Sequence, residues 1–398
     1  MNSEALYKGP KRLENMFLSP IRQFNEKASA LQQAGHDIVY FTMGEPDFNT
    51  PQAIKDATVR AITANKTHYA AMRGDIHLRE EIAKMLQAQC GVSYAPATEL
   101  IVTSGAAEAL NNAIFSAVGS GDEVIFFAPA FMHYTNMITA AGATPVPLPT
   151  KFENGFQPDL EMLRAAITDK TRMLLINNPG NPTGAVYPEE VLAEIAKIAC
   201  EHDLLVISDE IYNRIVYKGA EFRSIASFPG MRERTLLVNG FSKTFAMTGW
   251  RLAYIAADAR LIKNVAVIHQ YSTTCSPTFI QAGTAEAMNA PETETEIQEM
   301  LSAFARRREL IVEGLSQIDG LSFTNPMGAF YVMVNVSRTG MDGSEFANRL
   351  LEEQDVAVVP AIAFGVEGKD FVRMSFATSD DRISEGLRRI GEFVARHI

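Results

Sequence analysis

The sequence predicts an α/β protein with a mainly parallel central sheet and a smaller α+β domain. Short, nearly continuous apolar runs recur between about residues 100 and 255, helical spacings lie between several of them, and the pattern changes after about residue 290. Runs without polar alternation indicate strands buried on both faces, and strands that alternate with helices are typical of parallel sheets. The chain has 398 residues. Because single cores stop growing at roughly 250–300 residues, we expect two domains.

Six apolar runs rich in β-branched and aromatic residues are predicted as strands of the central sheet. They are residues 100–103, 123–128, 171–177, 204–208, 235–239 and 252–255. A helix is indicated after the first run by apolar residues at helical spacing, namely Leu110, Ala113, Ile114 and Ala117. A second helix is indicated before the fourth run by Val191, Ile195 and Ile198, and Pro188 is well placed to start it.

The remaining elements belong to the two ends of the chain. PETETEIQEMLSAFARRRELIVEGL predicts one long charged helix, and strand-like runs follow at 329–335, 356–359 and 371–376, with a helix between the first two. The first 40 or so residues carry helical spacing, and we expect them to pack on the smaller domain or across a subunit boundary. The predicted units are 1–44, a large domain 45–290 and a small domain 291–398.

Composition excludes several classes of protein. Lys plus Arg is 36 and Asp plus Glu is 47, which gives a net charge of −11 without a basic run, so a nucleic-acid binder is not expected. The three cysteines, Cys90, Cys200 and Cys275, are far apart and predict neither a metal site nor a disulfide framework. The sequence has no apolar run near the ~18 residues of a membrane span and no signal-peptide pattern, so we expect a cytoplasmic protein without membrane contact.

One lysine stands in an unusual setting. Residues 239–251 read NGFSKTFAMTGWR and follow a predicted buried strand, so Lys243 and Arg251 lie among small and apolar residues. Lys243 is either an ordinary surface lysine at a strand end or a Schiff-base lysine. The second role requires a neutral amine that attacks a carbonyl, and desolvation favours that form. Spacing alone leaves both interpretations open.

Polar side chains follow two other predicted strands. In residues 177–184 (NNPGNPTG), Asn181 sits between a glycine and a proline, so a stiff backbone would aim its side chain; the alternative is a plain turn-rich connector. The run 204–208 leads directly into Asp209. Ligands of open α/β sheets bind at the carboxyl ends of strands, where Asp209 would lie, although an aspartate there is also a common helix N-cap.

A possible anion site follows the first predicted strand. In residues 102–110 (VTSGAAEAL), Gly105 permits a tight turn and small residues open a helix. The N–H groups at a helix start suit a phosphate. Neither the Walker lysine nor the dinucleotide glycine fingerprint is present. Because most helix starts of this kind bind nothing, the segment alone predicts no ligand.

Taken together, five motifs resemble one family. The ordered set SGAAEAL, NNPGNPTG, SDEIY, SKTFAMTGWR and FVRMSF is similar to the class I and II aminotransferases, which have fold type I and depend on pyridoxal 5′-phosphate. The likeness runs from about Ile38, through GEPDFNTP and YAAMRGDIHLREEIA, to Phe376, and prokaryotic aspartate and aromatic aminotransferases are the most similar subgroup. It implies a large domain built on a mainly parallel seven-stranded sheet.

The resemblance implies roles for the residues that surround the cofactor ring. Lys243 would carry the cofactor as a Schiff base and move the proton between the substrate α-carbon and the cofactor. Asp209 would keep the pyridine nitrogen protonated, which makes the ring an electron sink. Tyr212 and Asn181 would bind the phenolic oxygen, and Phe131 would stack on the ring; without the family context, Phe131 is more simply a core phenylalanine.

The resemblance also implies contacts for the phosphate and the substrate. The phosphate would bind Gly105, Ala106, Ala107, Ser242 and Arg251. Tyr69 would reach the phosphate of the neighbouring subunit, which implies an obligate homodimer. Arg373 would bind the substrate α-carboxylate through a bidentate contact. The backbone at Gly44 would approach the same carboxylate, with Asn181 and Phe131 nearby.

The function indicated is a homodimeric aminotransferase that moves an amino group from an L-amino acid to a 2-oxo acid such as 2-oxoglutarate. A carbon–sulfur lyase of the cystathionine type would use the same cofactor residues and is the alternative. A noncatalytic regulator is less consistent with an intact Lys243 and Asp209, and a Rossmann dehydrogenase lacks its fingerprint. No residue is assigned to a substrate side-chain carboxylate. Arg22 and Arg73 are candidates, each expected rather to be solvated or structural.

Overall fold

The structure is a computed structural model that describes residues 13, 14, 16 and 18–398. The part of the N-terminal prediction that concerns residues 1–12, 15 and 17 lies outside the described residues. Twelve α-helices are described. They are α1 (Pro20–Gln33), α2 (Gln52–Thr63), α3 (Ile76–Cys90), α4 (Ala106–Ala117), α5 (His133–Ala140), α6 (Leu160–Ala166), α7 (Glu189–Glu201), α8 (Ala259–Ser272), α9 (Thr278–Ala287), α10 (Pro291–Ser316), α11 (Gly343–Gln354) and α12 (Asp380–Ala395).

Thirteen strands form three sheets in the described chain. They are β1 (Val39–Tyr40), β2 (Leu100–Thr103), β3 (Glu123–Ala128), β4 (Thr144–Pro149), β5 (Thr171–Asn177), β6 (Leu205–Asp209), β7 (Thr235–Gly240), β8 (Ala253–Ala256), β9 (Ser322–Phe323), β10 (Tyr331–Asn335), β11 (Val356–Ala357), β12 (Val359–Pro360) and β13 (Phe371–Ser375). All six runs predicted for the central sheet are strands, within one residue at each end.

The large sheet has seven strands in the order β2-β8-β7-β6-β5-β3-β4. Strand β8 runs antiparallel to both of its neighbours, and the other adjacent pairs are parallel. Every residue of β2, β7 and β8 is buried, as the continuous apolar runs predict for strands covered on both faces. The predicted α/β class with a mainly parallel sheet is confirmed.

The sequence did not reveal β4, an edge strand that reads TPVPLP and pairs only with β3. The N–H groups of Thr144 and Thr150 donate to the carbonyls of Asp122 and Ala128, so even-numbered positions face β3. The proline rings therefore occupy the alternate positions, whose missing N–H groups face away from the sheet. Proline is tolerated at an edge for this reason, although it masks the strand in the sequence.

The carboxyl-terminal part forms a four-stranded antiparallel sheet in the order β12-β13-β10-β9. The predicted long helix is α10, which has 26 residues. The strand predicted at 356–359 is wrong in one respect, because the segment divides between two sheets. Its first half, β11, pairs in parallel with β1, and its second half, β12, pairs with β13. The segment divides because β1 pairs with its first residues, whereas β13 pairs with its last.

The described part of the N-terminal segment packs on this carboxyl-terminal layer. Phe24 and Ala28 of α1 are buried in one apolar cluster with residues of α11 and β11. Farther along, Arg307 of α10 holds both carboxylate oxygens of Asp47, at 2.6 and 2.9 Å. This bidentate contact fixes the segment that follows β1 and carries Gly44.

The carboxyl ends of the parallel strands lie at one edge of the large sheet. Asn177 ends β5, and it lies opposite Asp209, which ends β6. Strand β7 ends at Gly240, three residues before Lys243. Carboxyl ends of adjacent parallel strands are where α/β proteins place ligands, so the topology brings separate motifs together here. None of the described helices is long and apolar enough to span a membrane.

Candidate active site

A cleft of about 450 Å³ opens at this edge of the sheet. It brings together most of the residues that the sequence singled out, although they are far apart in the chain. The cleft is lined by Gly44, Ala106, Ala107, Phe131, Asn181, Asp209, Tyr212, Ser242, Lys243, Arg251 and Arg373. In the described part of the chain, no group of three or more His, Cys, Asp or Glu side chains could hold a metal ion.

Lys243 projects into the cleft from the turn after β7. Its Nζ donates a hydrogen bond to the carbonyl of Gly44 and lies 5.9 Å from the ring centroid of Tyr212 and 5.8 Å from that of Phe330. Burial lowers the pKa of this amine to about 8, and the charge of Glu45 opposes part of that shift. A substantial fraction of the amine is therefore neutral near physiological pH, which a nucleophilic lysine requires.

Asp209 lies behind the lysine and is 4% exposed. Its Oδ2 accepts a hydrogen bond of 2.7 Å from the Tyr134 hydroxyl, and its Oδ1 accepts one of 3.3 Å from the Ile211 N–H. Burial raises the pKa of the carboxyl to about 6, although both hydrogen bonds lower it. The residues that follow form turns, so Asp209 does not cap a helix. Buried carboxyls with perturbed pKa values cluster at functional sites.

A cradle for an anion forms where β2 leads into α4. Gly105 has φ +89° and precedes the first helical residue, and a Cβ there would collide with the guanidinium of Arg251. Nη1 of Arg251 donates 2.9 Å to the carbonyl of Thr248. Helix α4 directs its first N–H groups, at Ala106 and Ala107, to the cleft that Ser242 also lines. A helix start with an adjacent arginine and a hydroxyl is a suitable phosphate site.

A second anion site lies at Arg373, which is 3% exposed. Its Nη1 donates 3.0 Å to Oδ1 of Asn181, and its Nη2 donates 3.0 Å to the carbonyl of Thr42. Its Nε is buried without a hydrogen-bond partner, and the guanidinium lies 4.3 Å from the ring centroid of Tyr331. Within the described residues this cation has no carboxylate partner. A buried arginine in that state is suited to an anionic ligand that supplies one.

Further side chains fix the floor of the cleft. Asn177 accepts from the Asn181 N–H at 2.8 Å and donates to the Asp209 carbonyl at 3.0 Å. The hydroxyls of Tyr212 and Tyr331 lie 2.9 Å apart. Sequence reasoning did not assign Asn177, Tyr134 or Tyr331. Asn177 begins the NNPGNPTG motif and Tyr134 follows Phe131 by three residues, so a signal existed for both, whereas Tyr331 sits in an apolar strand without one.

Three candidates lie outside the cleft. Tyr69 is 89% exposed and belongs to a separate surface depression with Cys275 and Thr278. Arg73 donates to the carbonyl of Thr98 at 2.8 Å and is a structural arginine. Arg22 is exposed on α1 and does not line the cleft. A single chain thus assembles the proposed lysine, carboxylate and arginine groups, but it does not place Tyr69 among them.

The residues of the cleft are suited to one kind of chemistry. The cleft contains a lysine that can be neutral, two arginine-based anion sites and a buried carboxyl. Such a site suits carbonyl–amine chemistry on ligands that carry a phosphate and a carboxylate.

Comparisons with known proteins identify the family. The profile of the family described as aminotransferase class I and II matches residues 36–390, and the chain therefore belongs to this family. It is 42% identical over 387 residues to an aspartate/prephenate aminotransferase of Thermus thermophilus, covering 97% of this chain and 98% of that protein. An aspartate aminotransferase of Pyrococcus abyssi is 40% identical over 379 residues, covering 95% and 96%.

Solved structures agree with the sequence comparisons. The crystal structure of the Thermus thermophilus aspartate aminotransferase with maleate superposes with a TM-score of 0.92 at 41% identity, covering 97% of this chain and 99% of that chain. The fold type I architecture and the resemblance are confirmed. The protein is a transaminase, and the lyase alternative is not favoured. Enzymes of this family depend on pyridoxal 5′-phosphate.

Proposed function

We propose that this chain binds pyridoxal 5′-phosphate in the cleft and transfers an amino group from an L-amino acid of the aspartate or aromatic class to a 2-oxo acid such as 2-oxoglutarate. The observation that carries the proposal is the meeting of Lys243, Asp209, Arg251 and Arg373 in one cleft. The relatives named above act, by their names, on aspartate and prephenate. Their identity over nearly the whole chain supports a substrate of that class.

The cleft fits this cofactor at three points. The cradle of Gly105, Ala106, Ala107, Ser242 and Arg251 has the helix start and the cation that a phosphate needs. The half-buried amine with a lowered pKa suits covalent attachment to the carbonyl carbon. The buried carboxyl of Asp209 suits a protonated ring nitrogen, because a cation beside it would offset the cost of its own charge. When bound, the cofactor supplies the electron sink for the α-carbon.

Five side chains would then act on the bound groups. Lys243 would take the proton from the substrate α-carbon and pass it to the cofactor, for which a pKa near the operating pH is favourable. Asp209, held by the Tyr134 hydroxyl, keeps the proton on the ring nitrogen. Tyr212 and Asn181 line the same cleft and would donate to the phenolic oxygen, and Phe131 would supply a stacking face.

Arg373 is proposed to bind the substrate α-carboxylate with help from the backbone at Gly44. Its contact with Asn181 Oδ1 occupies one guanidinium donor in the unliganded chain. The guanidinium has further N–H groups, including the unpartnered Nε, that a carboxylate can bind. The contact uses the Oδ1 acceptor of Asn181, so its Nδ2 donor remains available to the phenolic oxygen.

We also propose a cytoplasmic homodimer with shared active sites, in which the units 1–44, 45–290 and 291–398 act as N-terminal segment, cofactor domain and small domain. The ring of Tyr69, which is 89% exposed, supports the sharing. Exposed apolar surface of this kind is typical of an interaction site. Tyr69 of one chain would bind the cofactor phosphate of the other.

Hybrid dimers test the shared site. Lys243→Ala is co-refolded with a severely impaired Tyr69 variant, and each hybrid then has one site with both lesions and one site with neither. At equal mixing about half of the dimers are hybrids, so we expect about one quarter of wild-type activity to return. If hybrids form, as shown by differently tagged chains, and activity stays at the level of the separate variants, Tyr69 does not act across subunits.

The transferase reaction is tested by its two halves. An amino donor added without an acceptor should convert the bound cofactor to its amino form, with loss of the visible absorbance, and 2-oxoglutarate should restore it. A panel that contains aspartate, aromatic and aliphatic donors identifies the substrate class. Release of ammonia or sulfide with an unchanged cofactor spectrum would contradict the proposal.

The lysine predicts a pH dependence for cofactor capture. The neutral amine is the nucleophile, so the rate at which the cofactor-free protein attaches the cofactor should rise with pH around a midpoint of about 8. Glu45 raises the pKa of Lys243, so Glu45→Gln should move the midpoint to lower pH. Stopped-flow absorbance measures both profiles. A midpoint near that of free lysine, or a shift to higher pH in Glu45→Gln, would contradict the account.

A further inference from the structure

A buried histidine outside the cleft connects two segments that the proposed function uses. His269 of α8 is 0% exposed. Its Nδ1 lies 2.6 Å from Oε1 of Glu108, in the first turn of α4, and its Nε2 lies 2.9 Å from the carbonyl of Met72. Glu108 belongs to the helix that starts at the phosphate cradle. Met72 belongs to the Tyr69 segment, which we define as residues 67–74.

The groups beside His269 determine which of its ring nitrogens donate hydrogen bonds. Oε2 of Glu108 accepts from the Ser104 N–H at 2.6 Å, and Oε1 also accepts from Nδ2 of Asn112 at 2.9 Å. Burial raises the pKa of Glu108, but the bonds from His269 and Ser104 outweigh it, so the net pKa is below its ordinary value. Both partners of His269 are then acceptors, and the ring satisfies both only when each nitrogen donates.

The position of Tyr69 depends on the backbone of the Tyr69 segment, because its side chain is 89% exposed. Four carbonyls of the segment accept hydrogen bonds from residues outside it. Thr278 donates to the carbonyl of His68 and His269 to that of Met72. The Val102 N–H donates to that of Arg73 at 3.0 Å, and Nε of Arg79 donates to that of Gly74 at 3.3 Å. His269 alone among them is also bonded to the helix of the phosphate cradle.

We propose that His269 is a positioning residue whose bond to the Met72 carbonyl holds the Tyr69 segment to α8 and so sets the fit of Tyr69 on the cofactor phosphate of the neighbouring subunit. Glu108 orients the ring, and the ring acts through the Met72 carbonyl. This inference rests on the proposed role of Tyr69. It assigns a function to a side chain that lies outside the cleft and touches neither cofactor nor substrate.

Two amide variants separate the bonds of the ring. The amide of His269→Asn can take the place of Nδ1 and keep Glu108, whereas that of His269→Gln can take the place of Nε2 and keep Met72. We expect His269→Asn to weaken cofactor binding about tenfold and His269→Gln to stay within about threefold of wild type. The readout is the cofactor Kd of the full-length dimer from visible absorbance titrations. Val265→Ala, which shortens another wholly buried side chain of α8, is the control for lost packing.

Tyr69→Phe is then combined with each variant. Alone it should raise the Kd roughly 10–150-fold. In His269→Asn its further cost should nearly vanish, because a loosened segment no longer presents the hydroxyl, whereas in His269→Gln the cost should persist. The proposal would be overturned if Tyr69→Phe raised the cofactor Kd in His269→Asn as much as it does in wild type. It would also be overturned if His269→Gln or Val265→Ala lost as much cofactor affinity as His269→Asn.

The design remains decisive if one variant does not fold. His269→Gln alone must retain cofactor affinity, and a tenfold loss in a folded dimer would overturn the proposal. Failure of the proposed function is seen separately, because wild-type protein would then not develop the visible absorbance of the attached cofactor. An unchanged Kd in Tyr69→Phe would remove the Tyr69 contact and this inference with it, while the transaminase activity would stand.

Discussion

Lys243→Ala is expected to abolish transamination and covalent attachment of the cofactor together. The half-buried amine is the only lysine that lines the described cleft, and it provides both the attachment point and the proton carrier. Activity should fall to the limit of detection in a coupled assay with 2-oxoglutarate. Lys243→Arg should be equally inactive, because it keeps a positive charge in the cleft but cannot form the covalent bond.

The matched control is Lys263→Ala. Lys263 is exposed on α8 and does not line the cleft, so this variant removes a lysine without removing a cleft residue. We expect wild-type activity and a wild-type visible spectrum. Retention of a few per cent of activity in Lys243→Ala, with the visible absorbance of an attached cofactor, would mean that another group carries the chemistry.

Asp209→Asn is expected to lower the rate of transamination roughly 10²–10³-fold, which corresponds to about 2.7–4 kcal/mol of lost electrostatic stabilisation. The amide has no charge to hold the proton on the ring nitrogen. Glu210→Gln is the matched control, because Glu210 is the next residue, is equally buried and does not line the cleft. Its Oε1 accepts from the hydroxyls of Ser208 and Ser224. Activity of Asp209→Asn within about twofold of wild type would refute the role.

The same substitution should stabilise the cofactor-free protein. Burial raises the pKa of Asp209 from 3.8 to about 6, so the native state disfavours the ionised form. The resulting stability is complete below about pH 4 and is lost as the pH rises through about 6. At neutral pH, cofactor-free Asp209→Asn should therefore exceed wild type by roughly 1–3 kcal/mol in urea unfolding. A less stable variant would indicate that the carboxylate is already compensated without the cofactor.

Much of the fold could be predicted because the apolar runs were long and uninterrupted. The strand that ends at Asp209 and the strand that precedes Lys243 are buried, and their sequences carry no competing signal. Strand β4 was not predicted, because prolines argue against a strand unless its register at a sheet edge is known. The division of 356–359 between two sheets depended on β1, a two-residue strand more than 300 positions earlier. A local sequence pattern cannot predict pairing with a strand so distant in the chain.

The cleft residues were predicted mainly from the ordered motifs, since each motif alone had an ordinary alternative. The sequence could not show that Tyr134 binds Asp209 or that Arg373 binds Asn181, because these contacts join residues 75 and 192 positions apart in the chain. His269 had no motif at all. Its significance follows only from the two acceptors that the fold places on opposite sides of its ring.

The central claim is that the cofactor is attached to Lys243 in this cleft, and borohydride reduction tests it most directly. The reduced holoenzyme is digested, and the modified peptide is mapped by mass spectrometry. The account predicts a single pyridoxyl adduct, on the peptide NGFSKTFAMTGWR at Lys243, and loss of that adduct when the same treatment is applied to Lys243→Ala. A stoichiometric adduct on any other lysine would contradict the account.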